Sequence, residues 1–128
     1  MNGSDGVDAE DATAPGAEDN MATVAVRHLP DTIVLTVAGE IDMMTAPALE
    51  DAVRRSLTER PANLVIDLTG ARFFSSAGIA VLVLAHRNSA EVALRVVASD
   101  RVVIRPLELT GLTDDLSIYP DLAAALNP

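Results

Sequence analysis

Ser75 and Ser76 carry the hydroxyls best placed for chemistry in this chain, since they follow Phe73-Phe74 and stand directly before Ala77-Gly78 and an apolar run from Ile79 to Ala85. A serine just ahead of such a run is a helix N-cap signal, because its hydroxyl accepts from the free N–H groups of the first turn. Ser76 is thus either a plain cap or an exposed hydroxyl that takes a phosphoryl group at a helix start. Asp42, within Gly39-Glu40-Ile41-Asp42 and three residues before Thr45, is either a turn former on the Thr45 side or part of a partner surface beside the serine. Asp67 closes the run Leu64-Val65-Ile66 and is expected to bond nearby backbone N–H groups. The only imidazoles, His28 and His86, read as surface or satisfied residues rather than general bases.

Several reaction classes are excluded by what is missing. All nine basic residues are arginine, and the absence of lysine removes a Walker-type phosphate loop and the lysine of a receiver domain. No Gly-x-Ser-x-Gly elbow is present for a hydrolase. Without cysteine there are no disulfides, thiolate nucleophiles or cysteine zinc sites. Neither a catalytic residue nor a metal site is expected.

The elements that position the serines follow from periodicity. Thr23 to Leu29 and Thr32 to Ala38 alternate as strands, with Pro30-Asp31 as the turn that closes a hairpin, and the second strand stops at Gly39. Thr45 is a candidate N-cap, Pro47 falls in a first turn, and Ala46, Leu49, Val53 and Leu57 recur at helical spacing, giving an amphipathic helix over 46–59. Leu64-Val65-Ile66 is a short strand buried on both faces, broken at Thr69-Gly70. Strand, helix and strand make a crossover unit with parallel strands, so the Asp42 loop and the loop from Asp67 to Ser76 share the carboxyl edge of the sheet, where open α/β sheets bind partners and ligands. Ile79 to Ala85 is apolar all round and suits a buried strand or a helix; the serine cap favours helix. Glu91 to Ala98 reads as a strand, and Ser99-Asp100 caps a helix that kinks or ends near Arg105, ahead of Pro106, with Gly111 as a stop. Leu116 to Tyr119 and Asp121 to Leu126 supply a last short strand and helix.

Composition bounds the setting. A chain of 128 residues with 49% hydrophobic content fits one compact domain, here 21–128, preceded by a disordered acidic tail over 1–20. Of the net charge of −10, six acids fall before Met21 with no base among them. That balance, with three aromatic residues and no basic stripe, argues against nucleic acid as a partner. No membrane-spanning run or signal peptide is seen, so the expected location is cytoplasmic.

The strand, Asp67-Leu68-Thr69-Gly70, Phe73-Phe74-Ser75-Ser76-Ala77-Gly78 and the following helix resemble the STAS domain of bacterial anti-sigma-factor antagonists. Gly39-Glu40-Ile41-Asp42 and Leu107-Glu108-Leu109-Thr110-Gly111-Leu112 fit the same pattern, and the resemblance spans about residues 22–126. It implies an α/β STAS fold: a mixed, mostly parallel sheet of four to five strands with an N-terminal antiparallel hairpin strand, packed by about four helices. The family turn reads Phe-x-Asp-Ser-Ser-Gly with the first serine phosphorylated, which assigns the phosphate to Ser76 and, failing that, to Ser75. Ser75 stands where the family has aspartate, and Ala77 where it has a second serine. The implied partner surface is Asp42, Thr45, Phe74, Ser75, Ser76, Ala77, Gly78 and Ile79, and Asp42 is placed to orient a kinase-bound phosphate through a metal. The implied partner is an anti-sigma factor of the serine-kinase type, which brings its own ATP; this chain needs no cofactor. A serine phosphatase is the expected second partner. Ser75 and Ala77 keep a second class open: a STAS accessory module that binds a transporter ATPase or sensor complex without serine phosphorylation.

Overall fold

The computed structural model describes residues 22–128, so the acidic tail expected over 1–20 lies outside the described residues. Five strands, β1 (Thr23–Leu29), β2 (Thr32–Ile41), β3 (Asn63–Phe74), β4 (Ala93–Val97) and β5 (Ser117–Tyr119), lie in the sheet in chain order. Only the β1–β2 pair is antiparallel. Its turn has Pro30 followed by Asp31 at φ 61°, the positive value asked of the residue after a turn proline and one that aspartate tolerates.

Helices α1 (Ala46–Thr58), α2 (Ser76–Arg87) and α3 (Arg101–Leu109) make the three parallel crossovers. Crossovers of one hand that always step the same way along a sheet put their helices on one face. Ile33, Leu35, Leu64, Ile66 and Val96 of the sheet therefore pack with Leu49 and Val53 of α1, Leu82 and Ala85 of α2, and Val103 and Leu107 of α3. The opposite face is only partly covered: α4 (Leu122–Leu126) sets Ala125, Leu122 and Leu126 over Val34, Val65 and Val97. Leu64, Val65 and Ile66 are each fully buried, as a strand covered on both faces requires.

Four sequence boundaries are corrected. β3 does not break at Thr69-Gly70 but runs on to Phe74, and β2 continues through Gly39 to Ile41. The register shifts twice, between Thr36 and Ala38 and between Gly39 and Glu40, and each shift inserts one extra residue into β3. Gly70 permits the first: a Cβ there would lie 2.9 Å from the Val37 carbonyl oxygen, so the strands approach where only glycine fits. Helix α3 likewise does not end near Arg105 but passes Pro106 to Leu109. Val103 and Leu107, on one face either side of the proline, are buried and hold the segment against the core, while the Thr110 hydroxyl donates to the Pro106 carbonyl at 2.9 Å. The strand expected over 91–98 shortens to Ala93–Val97, and Gly111, at φ 77°, ends the α3 segment as expected.

Candidate functional site at the carboxyl edge of the sheet

The site is built where β2 and β3 end side by side. Ile41 pairs with Phe74, and the Ser75 N–H donates to the Ile41 carbonyl at 2.9 Å, so the Asp42 loop and the start of α2 diverge from one hydrogen bond. The two segments that chain topology brings to one edge are thus adjacent. Asp67, by contrast, sits in mid-strand, buried, and belongs to the body of the sheet. Its Oδ1 accepts from the Thr69 N–H at 3.0 Å and the Thr69 hydroxyl at 2.8 Å, the local backbone role expected of it.

The cap of α2 is Ser75, not Ser76. Ser75 has extended backbone (φ −89°, ψ −179°) and its Oγ accepts from the Ala77 N–H at 3.2 Å. Ser76 is the first helical residue and is exposed. Among the described residues no hydrogen bond uses its hydroxyl. One serine thus completes the helix start while its neighbour presents a free hydroxyl above it. Asparagine, aspartate and serine are the best N-cap residues, and Ser75 fills that role here.

Asp42 is a turn former: its Oδ1 accepts from the Met44 N–H at 2.9 Å and the Thr45 N–H at 3.1 Å. Its Oδ2 makes no hydrogen bond among the described residues. Thr45 does not cap α1 with its side chain, contrary to expectation. Its buried hydroxyl instead donates to the Glu40 carbonyl at 2.7 Å and accepts from the Asp42 N–H at 2.9 Å, tying the end of β2 to the start of the helix.

Four residues assigned to the partner surface lie inside, the 5% exposed Thr45 among them. Phe74 is 3% exposed, Gly78 is buried with no room for a Cβ against the Phe74 ring, and Ile79 belongs to the core cluster. Ala77 is half-buried and remains at the rim. The outward aromatic is Phe73, 48% exposed, and the loop after Asp42 carries Met43 and Met44, 79% and 75% exposed. None of these three was singled out from the sequence. A Met-Met pair in a tight turn, where Gly, Asn, Asp and Ser are the usual residues, was the available signal. His28 approaches Glu59 at 3.1 Å on the surface, and His86 is exposed at the far end of α2.

No three His, Asp or Glu side chains among the described residues are grouped as a metal site. No helix among them is long and apolar enough to cross a membrane. What stands at the edge among the described residues is an exposed serine hydroxyl, a carboxylate held in a turn and two exposed thioethers.

The STAS domain model matches residues 23–125, and the chain belongs to the STAS-domain family of anti-sigma-factor antagonists. The anti-sigma-F factor antagonist RsfB of Mycobacterium tuberculosis is 36% identical over 105 residues, covering 81% of this chain and 86% of its own. The anti-sigma-B factor antagonist of Listeria monocytogenes is 36% identical over 91 residues, 69% of this chain and 79% of its own. A crystal structure of an anti-sigma factor antagonist from Mycobacterium paratuberculosis matches with a TM-score of 0.81 at 37% identity, covering 85% of this chain and 94% of that one.

Proposed function

We propose that this protein, when unphosphorylated, binds an anti-sigma factor through the edge formed by Asp42, Met43, Met44, Ser75 and Ser76, and so frees a sigma factor. The anti-sigma factor is in this reading also an ATP-dependent serine kinase: it transfers the terminal phosphoryl group of its own ATP to the Ser76 hydroxyl, and the modified protein lets go. A serine phosphatase resets it, and the whole cycle belongs in the cytoplasm. The chain itself contributes a docking surface and an acceptor hydroxyl, and catalyses nothing.

The observation that carries this reading is the division of labour between the two serines. Ser75 spends its hydroxyl on the Ala77 N–H, whereas Ser76 is exposed and its hydroxyl bonds to none of the described residues. A dianion on Ser76 meets the positive end of the α2 dipole and the open N–H groups of its first turn, so the fold tolerates it. A docked partner does not. Docking strips water from the phosphate, and burying a charge without a partner costs several kcal/mol, roughly a hundredfold or more in affinity. The accessory-module alternative draws on Ser75 and Ala77 as departures from the family turn; the cap that Ser75 supplies to α2 is compatible with either reading. Calorimetric titration of the anti-sigma factor tests the proposal. Ser76→Ala should bind like the parent and stay bound when ATP is added, and Ser76→Glu should bind weakly with an unchanged circular dichroism spectrum. Equal binding by Ser76→Glu and by the phosphorylated protein would leave the passive module as the better reading.

A further inference from the structure

We propose that Met43 and Met44 form an oxidation-sensitive apolar anchor in the partner-binding edge, through which peroxide weakens capture of the anti-sigma factor without any phosphate on Ser76. This rests on the reading that the partner docks at this edge. The chain has four methionines and no cysteine, so thioethers are its only sulfur, and two of the four are adjacent here. They are the most exposed large apolar side chains among the described residues, at 79% and 75%. Nothing in the fold needs them. The turn is held by the Asp42 carboxylate, the Thr45 hydroxyl and main-chain groups, bonds that any side chain at positions 43 and 44 leaves intact. Unbranched, polarizable thioethers left in water suit a surface that closes on a partner, and the loop that carries this pair leaves the same sheet edge as Ser76, where the Ser75 N–H donates to the Ile41 carbonyl.

The chemistry is a two-electron oxygen transfer. Hydrogen peroxide gives one oxygen to the methionine Sδ, the O–O bond breaks, and the other oxygen leaves with both protons as water; the sulfur is oxidised and the peroxide reduced. The product, methionine sulfoxide, is polar where the anchor was apolar, and a thiol-dependent reductase returns it to the thioether. Losing the burial of one to two methionines weakens binding by roughly ten- to a hundredfold.

The test uses the full chain, hydrogen peroxide and the anti-sigma factor in the absence of ATP. Peptide mass mapping should place one added oxygen on each of Met43 and Met44, and titration should find the weaker binding just stated, restored by methionine sulfoxide reductase. Met43→Leu/Met44→Leu, whatever its own affinity, should bind equally before and after peroxide. Met43→Gln/Met44→Gln should bind weakly with the melting curve of the parent, which separates a lost anchor from a lost fold. Unchanged binding by the doubly oxidised protein, or peroxide sensitivity retained in the leucine variant, overturns the anchor while leaving the proposed function intact. An unoxidised parent that fails to bind any anti-sigma factor overturns both.

Discussion

Gly78→Ala is expected to destabilise the domain even though alanine is the better helix former. A Cβ at this position would lie 2.7 Å and 2.8 Å from Cε1 and Cζ of Phe74 and 3.0 Å from Cγ2 of Ile41. Carbon atoms in contact prefer about 3.5–4.0 Å, so the ring or the helix must move by roughly 1 Å. Phe74 is 3% exposed and Ile41 fully buried, which leaves no free direction for that movement. Overpacking of this size costs about 1–3 kcal/mol, against at most about 1 kcal/mol gained from helix propensity. The net loss of about 1 kcal/mol should lower Tm by roughly 4–8 °C in a domain near this size. Thermal melting followed by circular dichroism reads it, and a Phe74→Leu background identifies the cause. With the ring edge removed, most of the cost of Gly78→Ala should disappear, a coupling of about 1 kcal/mol. A raised Tm for Gly78→Ala in the parent, or the same cost in both backgrounds, would refute the claim that the Phe74 ring fixes the start of α2.

The two serines should separate in stability as they do in function. Ser75→Ala removes the cap and should cost about 0.5–2 kcal/mol in chemical denaturation, whereas Ser76→Ala should stay within about 0.5 kcal/mol of the parent. Thr45→Val keeps shape but leaves the Asp42 N–H and the Glu40 carbonyl without their partner, for about 1–3 kcal/mol and a matching drop in denaturant midpoint. Removal of residues 1–20, whose acidic, aperiodic composition offers no burial, should move the melting temperature by a few degrees at most.

Element order, the hairpin, the parallel crossovers and the edge that gathers Asp42 with the serine pair were legible in the chain because each rests on local pattern. What escaped was set by contacts between strands. Gly70 reads as a break when only its propensity is considered, yet its missing Cβ is what lets β3 close on the Val37 carbonyl and continue. From Leu68 on, inward residues fall at Leu68, Ala71 and Phe74, three apart rather than two, because each β3 bulge adds a residue. No alternation rule finds that spacing, so local pattern does not separate the inward Phe74 from the outward Phe73. Pro106 points to a kink or an early end because its cost is local, whereas the burial of Val103 and Leu107 that offsets it is tertiary. The choice between two adjacent serines for one cap depends on a single residue's backbone angles, below the resolution of pattern.

The central claim is tested most directly by following one protein through one reaction: complex formation with the anti-sigma factor before and after incubation with ATP, with the phosphate mapped by mass spectrometry. The expected result is a stable complex at the outset, a single phosphate on Ser76, and dissociation in proportion to its occupancy. Phosphate on Ser75, or a complex that persists with Ser76 fully phosphorylated, would contradict it.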